Sequence, residues 1–281
     1  DGSVMNFSEM GFTNVNGPGK GTNANGNDGG SGAGHGAKGT DAYLGALGGG
    51  SYGSALQPIF LGSGGGNGEN KNGGYGGGAV TINISSNFEL NGTVLVNAGH
   101  GVNTSTGFMD GSGGGAGGSI YVVTTNLTGT GYFQAKGGTT GVATDGREGG
   151  YGSGGRIAVY YNFTTFDFSK SNATRGDNIS ALIDKGSFSD GTVLFVDRDD
   201  NYAAIVSGML FNITDSLAGS LFKPSITTNF TFNNLSFMTP FLRLEGNASV
   251  NVANMSIINN INLYCDNTST KIIAFKFKDD S

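Results

Sequence analysis

Apolar and polar positions alternate along much of this chain. Around Leu242, Leu244, Val250 and Val252, and again at Ile273, Phe275 and Phe277, apolar residues occupy every second position. That is the period of a strand with one buried face. No stretch sustains the 3.6-residue period of an amphipathic helix, so the pattern predicts a chain that is nearly all β.

The pattern also repeats. Gly78-Ala79-Val80-Thr81-Ile82 matches Gly118-Ser119-Ile120-Tyr121-Val122 at an offset of 40, and Gly155-Arg156-Ile157-Ala158-Val159 follows 37 later. Val94 to Gly99 aligns with Phe133 to Gly138 at an offset of 39. Further on, Phe232-Asn233-Asn234-Leu235-Ser236-Phe237 matches Val252-Ala253-Asn254-Met255-Ser256-Ile257 at an offset of 20, and Phe211-Asn212-Ile213-Thr214 precedes the pair by 22 at its Asn. Short strands in a fixed register predict a solenoid, here a parallel β-helix with inserted glycine-rich loops. A β-sandwich is the alternative, for which Asn91-Gly92 would be a hairpin turn. The texture divides the chain into residues 1–78, a glycine-rich part; 79–200, glycine-looped coils of period about 40; and 201–281, compact coils of period about 20. The three are read as one continuous domain.

Glycine accounts for 54 of 281 residues, and 48 of these lie within residues 1–155. Clusters such as Gly64-Gly65-Gly66, Gly76-Gly77-Gly78, Gly113-Gly114-Gly115 and Gly154-Gly155 are expected to mark tight corners, because glycine tolerates positive φ. The run from Ser31-Gly32-Ala33-Gly34-His35-Gly36 through Tyr52-Gly53-Ser54, Pro58 and Leu61 to Gly66, ending in Gly155-Arg156-Ile157-Ala158-Val159-Tyr160-Tyr161, resembles the glycine-rich surface proteins of protists and the adhesin-like exoproteins of bacteria. The resemblance covers roughly residues 17–200. It implies a pectin-lyase-like right-handed parallel β-helix and an extracellular surface protein, and it brings no catalytic signature.

Composition excludes several other classes. With 19 Phe, 10 Tyr and a net charge of −6 the chain can build a core, unlike a disordered one. It has neither the strict glycine period nor the proline content of collagen. One Cys and two His make a zinc site untenable. Fifteen basic residues against 21 acidic ones, without a basic stripe, argue against nucleic acid as a partner. No run of 18 apolar residues predicts a transmembrane segment. The start at Asp1, without a basic and apolar leader, is read as a mature or excised form.

The densest local signal is the N-glycosylation sequon. Asn-X-Ser/Thr begins at Asn6, Asn83, Asn91, Asn103, Asn126, Asn162, Asn172, Asn178, Asn212, Asn229, Asn234, Asn247, Asn254 and Asn267. Chance would give about five in a chain of this composition. Such density predicts passage through a eukaryotic secretory pathway to the outside of the cell or its surface. With coils of about 20 to 22 residues, Asn212, Asn234 and Asn254 are expected to stand in one ladder.

Candidate chemistry is sparse. Gly34-His35-Gly36 and Gly99-His100-Gly101 match the Gly-His-Gly element of polygalacturonase-like enzymes, leaving Asp199, Asp200 and His100 as the residues to test. The Asn-Thr-Asp and Arg-Ile-Lys segments of that group are absent, and the chain is expected not to be an enzyme. Asp28, Asp110, Asp145 and Asp190 precede glycine in turns that could offer oxygens to calcium, without the repeated nonapeptide of calcium-binding β-rolls. No cofactor is expected beyond covalent N-glycans. Arg175-Gly176-Asp177 is an integrin-type tripeptide on an expected loop, Cys265 is read as a core residue, and Tyr160, Tyr161, Phe163, Phe166 and Phe168 as either core or a sugar-stacking strand. The expected function is a structural subunit of an extracellular, N-glycosylated fibre or appendage whose partner is itself, head to tail. A cell-surface adhesin or carbohydrate-binding module is the alternative, and a polysaccharide lyase or glycosidase stands third.

Overall fold

The computed structural model describes residues 2–25, 29–103, 110–143, 147–177 and 189–199, and beyond them the backbone of six strands. The strands are β1 (Val4–Asn6), β2 (Ala79–Glu89), β3 (Thr93–Leu95), β4 (Ser119–Thr128), β5 (Tyr132–Gln134), β6 (Arg156–Tyr161), β7 (Phe163–Thr164) and β8 (Thr192–Asp197). They continue with β9 (Ala203–Ser207), β10 (Phe211–Asn212), β11 (Thr228–Phe237), β12 (Phe241–Leu244), β13 (Ala248–Ile257) and β14 (Asn262–Cys265). An eight-stranded sheet runs in the order β13-β11-β9-β8-β6-β4-β2, with β7 also on β4, and two three-stranded sheets run β1-β3-β5 and β10-β12-β14.

The sequence offsets reappear as pairings. Val80 pairs with Ile120 and Ile120 with Ile157, all in parallel. Val94 pairs with Phe133, and Phe232 with Val252. Alternation sets the inward face: Ile120, Val122, Ile157, Val159, Val193 and Phe195 are buried, and Val80 and Ile82 pack against them from β2. Val94 in β3 and Val96 just past it, with Phe133 in β5 and Ala135 just past it, close this core from the other sheet. Phe195 sits 4.2 Å from Phe168 and 6.4 Å from Phe133, ring centre to ring centre. Each fully buried side chain of this size contributes about 1.5–3 kcal/mol.

The parallel β-helix is nevertheless not what forms. Among the described residues no closed solenoid exists, and β9 pairs with β8 antiparallel, Phe195 opposite Ile205. A continuous coil keeps one winding sense, so this reversal breaks it and turns β9, β11 and β13 against β2, β4, β6 and β8. The sandwich alternative fails too, since Asn91-Gly92 leads from β2 to β3, which lie in different sheets. Parallel strands joined by long crossovers are the layout of α/β sheets. Here glycine-rich segments make the crossovers, and the helical turns among the described residues are two 3-10 turns, Tyr43–Gly45 and Phe168–Lys170.

Those glycine-rich segments are not loops. They form a hydrogen-bonded bundle with a three-residue period. Along one segment, Gly111, Gly114 and Gly117 donate to Arg147, Gly150 and Ser153; Gly113 and Ala116 donate to Gly66 and Ser63; Gly115 and Gly118 donate to Gly99 and Val96. Successive N–H groups thus address three different neighbours, as in a helix of three residues per turn without internal bonds, the polyproline-II repeat. The segment 149–155 behaves alike, with Gly149, Gly152 and Gly155 donating to Gly141, Gly138 and Ala135, while Gly150 and Ser153 donate to Gly30 and Ala33.

Close approach, not turning, explains the glycines. Among the described glycines only Gly2, Gly17, Gly45, Gly53 and Gly129 have positive φ, so the clusters expected to be corners are not. A Cβ on Gly113 would instead lie closer than 3.0 Å to the Ser31 carbonyl, a separation that real Cβ atoms do not show. The bundle feeds into β2, β4, β6 and β8 at their starts and receives β3 and β5 at their ends, so it abuts one end of both sheets.

Candidate functional site

Seven sequon asparagines have described side chains, and none of them is buried. Asn6 on β1, Asn83 on β2, Asn91 and Asn103 are exposed; Asn126, Asn162 and Asn172 are half-buried. In several the amide oxygen is engaged. Asn6 Oδ1 accepts from the Ser8 N–H at 3.0 Å, Asn91 Oδ1 from Thr130 at 3.2 Å and Asn103 Oδ1 from Val142 at 2.9 Å. Asn91 Nδ2 donates to Glu89 Oε1 at 2.7 Å, and Asn126 Nδ2 to Asn87 Oδ1 at 2.5 Å. Asn162 is held on both sides: its oxygen accepts from Arg198 Nη2 at 2.5 Å and its Nδ2 donates to Asp199 Oδ1. Asn172 Nδ2 donates to the Lys170 carbonyl at 3.4 Å.

Asn212, Asn229, Asn234 and Asn254 lie on β10, β11, β11 and β13, while Asn178, Asn247 and Asn267 fall outside the described residues. The expected ladder of three is corrected to a pair. Asn234 pairs with Asn254, but Asn212 pairs with Arg243 in another sheet, because β10 joins β12 and not β11.

A different ladder went unread in the sequence. Asn97 Oδ1 accepts from the Lys136 N–H at 2.8 Å, His100 Nδ1 from Thr139 at 3.0 Å, and Asn103 Oδ1 from Val142 at 2.9 Å. Both sets advance by three residues, so one outward row of a three-per-turn segment satisfies the amides of the next. The signal was available: each pair is 39 apart, the offset that aligned Val94 with Phe133. His100, a candidate for catalysis, therefore works in this ladder. Asp199 is exposed and engaged by Asn162, no hydrogen bond joins it to His100 among the described residues, and Asp200 lies outside them.

The other Gly-His-Gly histidine is sealed in the bundle. His35 is fully buried, with Nδ1 2.6 Å from the Gly117 carbonyl and its ring stacked on Tyr52 at 4.6 Å. That carbonyl can only accept, which places the ring proton on Nδ1. Burial, aided by the nearby Arg156 charge, holds its pKa down at about 3. Arg156, itself buried, donates from Nε to the Tyr52 carbonyl at 3.0 Å and from Nη2 to the His35 carbonyl at 3.5 Å. Tyr52 Oη donates to the Leu61 carbonyl and accepts from Ser63 Oγ at 2.8 Å, and burial pushes its pKa up. This network ties together segments far apart in sequence.

The aspartates do not converge. Asp110 is buried with Arg147 Nη1 3.6 Å away, and Asp190 Oδ1 accepts from the Arg175 N–H at 2.6 Å. Burial raises the Asp190 pKa, with the Arg175 N–H and guanidinium pulling the other way. Asp28 and Asp145 fall outside the described residues, among which no group of three His, Cys, Asp or Glu stands together. The Arg175-Gly176-Asp177 tripeptide is no free loop either. Gly176 donates to the Gly152 carbonyl, Arg175 lies 5.0 Å over the Tyr151 ring, and Lys136 Nζ is 3.5 Å from Asp177. Cys265 closes β14. In the aromatic run Tyr161 and Phe166 are buried, Phe168 packs on the core and Tyr160 Oη donates to the Leu56 carbonyl, leaving Phe163 exposed. The chain matches no family model, no curated protein and no solved structure.

Proposed function

We propose that this chain is a structural subunit of an extracellular, N-glycosylated fibre or surface appendage that assembles head to tail, without catalytic activity. One observation carries the reading: every sequon asparagine with a described side chain reaches the surface of a body whose interior is closed by bundle and core. Surface placement is what glycan attachment requires. Support for self-assembly comes from the large sheet, whose end strands among the described residues are β2 of 11 residues and β13 of 10, each paired on one side only. Open edges of matched length can add a further strand. Since β13 runs against β2, a translated copy would meet its neighbour in an antiparallel junction. Among the described residues no helix is long and apolar enough to cross a membrane.

The test is electron microscopy of native, untagged material together with glycopeptide mapping. Filaments with occupied sequons on their flanks are expected. Dispersed particles, or a chain with no occupied sequon, would overturn the reading.

A further inference from the structure

The two strands that end the large sheet both carry a sequon within their span: Asn83-Ile84-Ser85 on β2 and Asn254-Met255-Ser256 on β13. The row running inward from Asn83 is Val123 on β4, Tyr160 on β6 and Val196 on β8, so the modifiable residue stands only at its rim. The central strands β6, β8 and β9 contain no sequon, whereas β4 holds Asn126 and β11 holds Asn229 and Asn234.

The β2 edge is partly managed by other means. The N-terminal segment covers its approach, where Gly78 donates to the Phe7 carbonyl and Gly76 to that of Phe12. Past that point no strand among the described residues pairs with the outer edge from Ala79 to Glu89, and the register with β4 shifts between Ile84 and Asn87, directly beside the sequon. A bulge on an edge strand twists it away from a would-be partner. A branched glycan is also far wider than the strand spacing of about 4.8 Å. A strand docking beside an occupied Asn83 would have to displace it.

We propose that glycans at Asn83 and Asn254 gate the association of copies through the β2 and β13 edges: a copy with both sites empty joins its neighbour, and a copy with either occupied ends the row. The occupant of the edge is a second copy of this chain, because the two ends present strands of nearly equal length and opposite direction. This rests on the proposed self-assembly and adds what regulates it. Among the described residues the other sequons lie off these two strands, and their glycans leave association unaffected.

The experiment uses the full chain secreted from a host that N-glycosylates, with site occupancy read by glycopeptide mapping and mass in solution by light scattering. Three proteins are compared: the fully glycosylated chain, a Ser85→Ala/Ser256→Ala variant that lacks only the edge glycans, and a Thr93→Ala variant that removes the Asn91 site between the sheets. An Asn83→Gln/Asn254→Gln variant guards against misfolding of the first. The expected result is a concentration-dependent rise in mass of at least tenfold for both edge variants, with the other two proteins staying monomeric. Association of all proteins alike would sink the gate and leave head-to-tail assembly standing. Association of none would sink both, and mapping that finds Asn83 and Asn254 empty in unassembled protein would sink the gate on its own.

Discussion

Glycine at Gly113 and at Gly50 looks the same in the sequence and is not. A Cβ at Gly113 would be forced into the Ser31 backbone, whereas at Gly50 it would meet nothing within 4 Å. Neither residue has positive φ, so the difference is space alone. Gly113→Ala is expected to destabilise by about 3 kcal/mol or more, the upper range of overpacking, because what must move is backbone. Gly50→Ala is expected to change stability by less than about 0.5 kcal/mol. Thermal melts of the two variants check this, and equal melting points would show that the bundle is looser than described. No rule applied to single residues could separate the pair, since tightness is a property of the neighbouring chain.

At the scale of elements, the strands were legible and the bundle was not. Period-two alternation and the offsets of 40, 37, 39 and 20 translate directly into pairings such as Ile120 with Ile157 and Leu235 with Met255. The glycine segments have no apolar alternation to read, and their order lies in a three-residue rotation of N–H groups that leaves no mark on side-chain polarity. They look like loops in sequence and behave like secondary structure in hydrogen bonding. Hydrogen exchange can distinguish the two. The amides of Gly111, Gly113, Gly114, Gly115 and Gly117, each donating to a neighbouring segment, are expected to exchange as slowly as those of β4. Exposed-loop rates there would refute the bundle. Asn97→Ala is expected to speed exchange at Lys136, whose N–H loses its acceptor, and to cost about 1 kcal/mol.

For the whole molecule, acid should act through His35. In the unfolded chain its imidazole takes up a proton near pH 6.5; in the folded chain it does not until about pH 3, because burial and Arg156 oppose the charge. Between those values the unfolded state binds more protons, so stability rises with pH there and is lost as pH falls. The loss runs at about 1.4 kcal/mol for each pH unit below 6.5. Urea unfolding at pH 7 and pH 5 checks it against His35→Gln, a neutral residue. The variant is expected to be less stable at pH 7, with the gap narrowing by about 2 kcal/mol at pH 5. A gap that stays constant would mean that His35 is not buried neutral.

By itself, the sequence determined that strands form and that repeated ones such as β2, β4 and β6, or β11 and β13, become neighbours in register, because these follow from the period of apolar side chains and from its repetition. It also determined where sequons stand along the chain. Tertiary structure decided what the sequence left open: that β9 turns against β8, so that no solenoid closes; that Asn212 leaves the ladder while Asn234 and Asn254 remain paired; and that His100 accepts a backbone N–H instead of meeting Asp199. It decided too that most glycines serve close packing, not turns. Strand direction, sheet membership and the spacing between backbones depend on segments distant in sequence. A local pattern carries no information about them until the chain has folded back on itself.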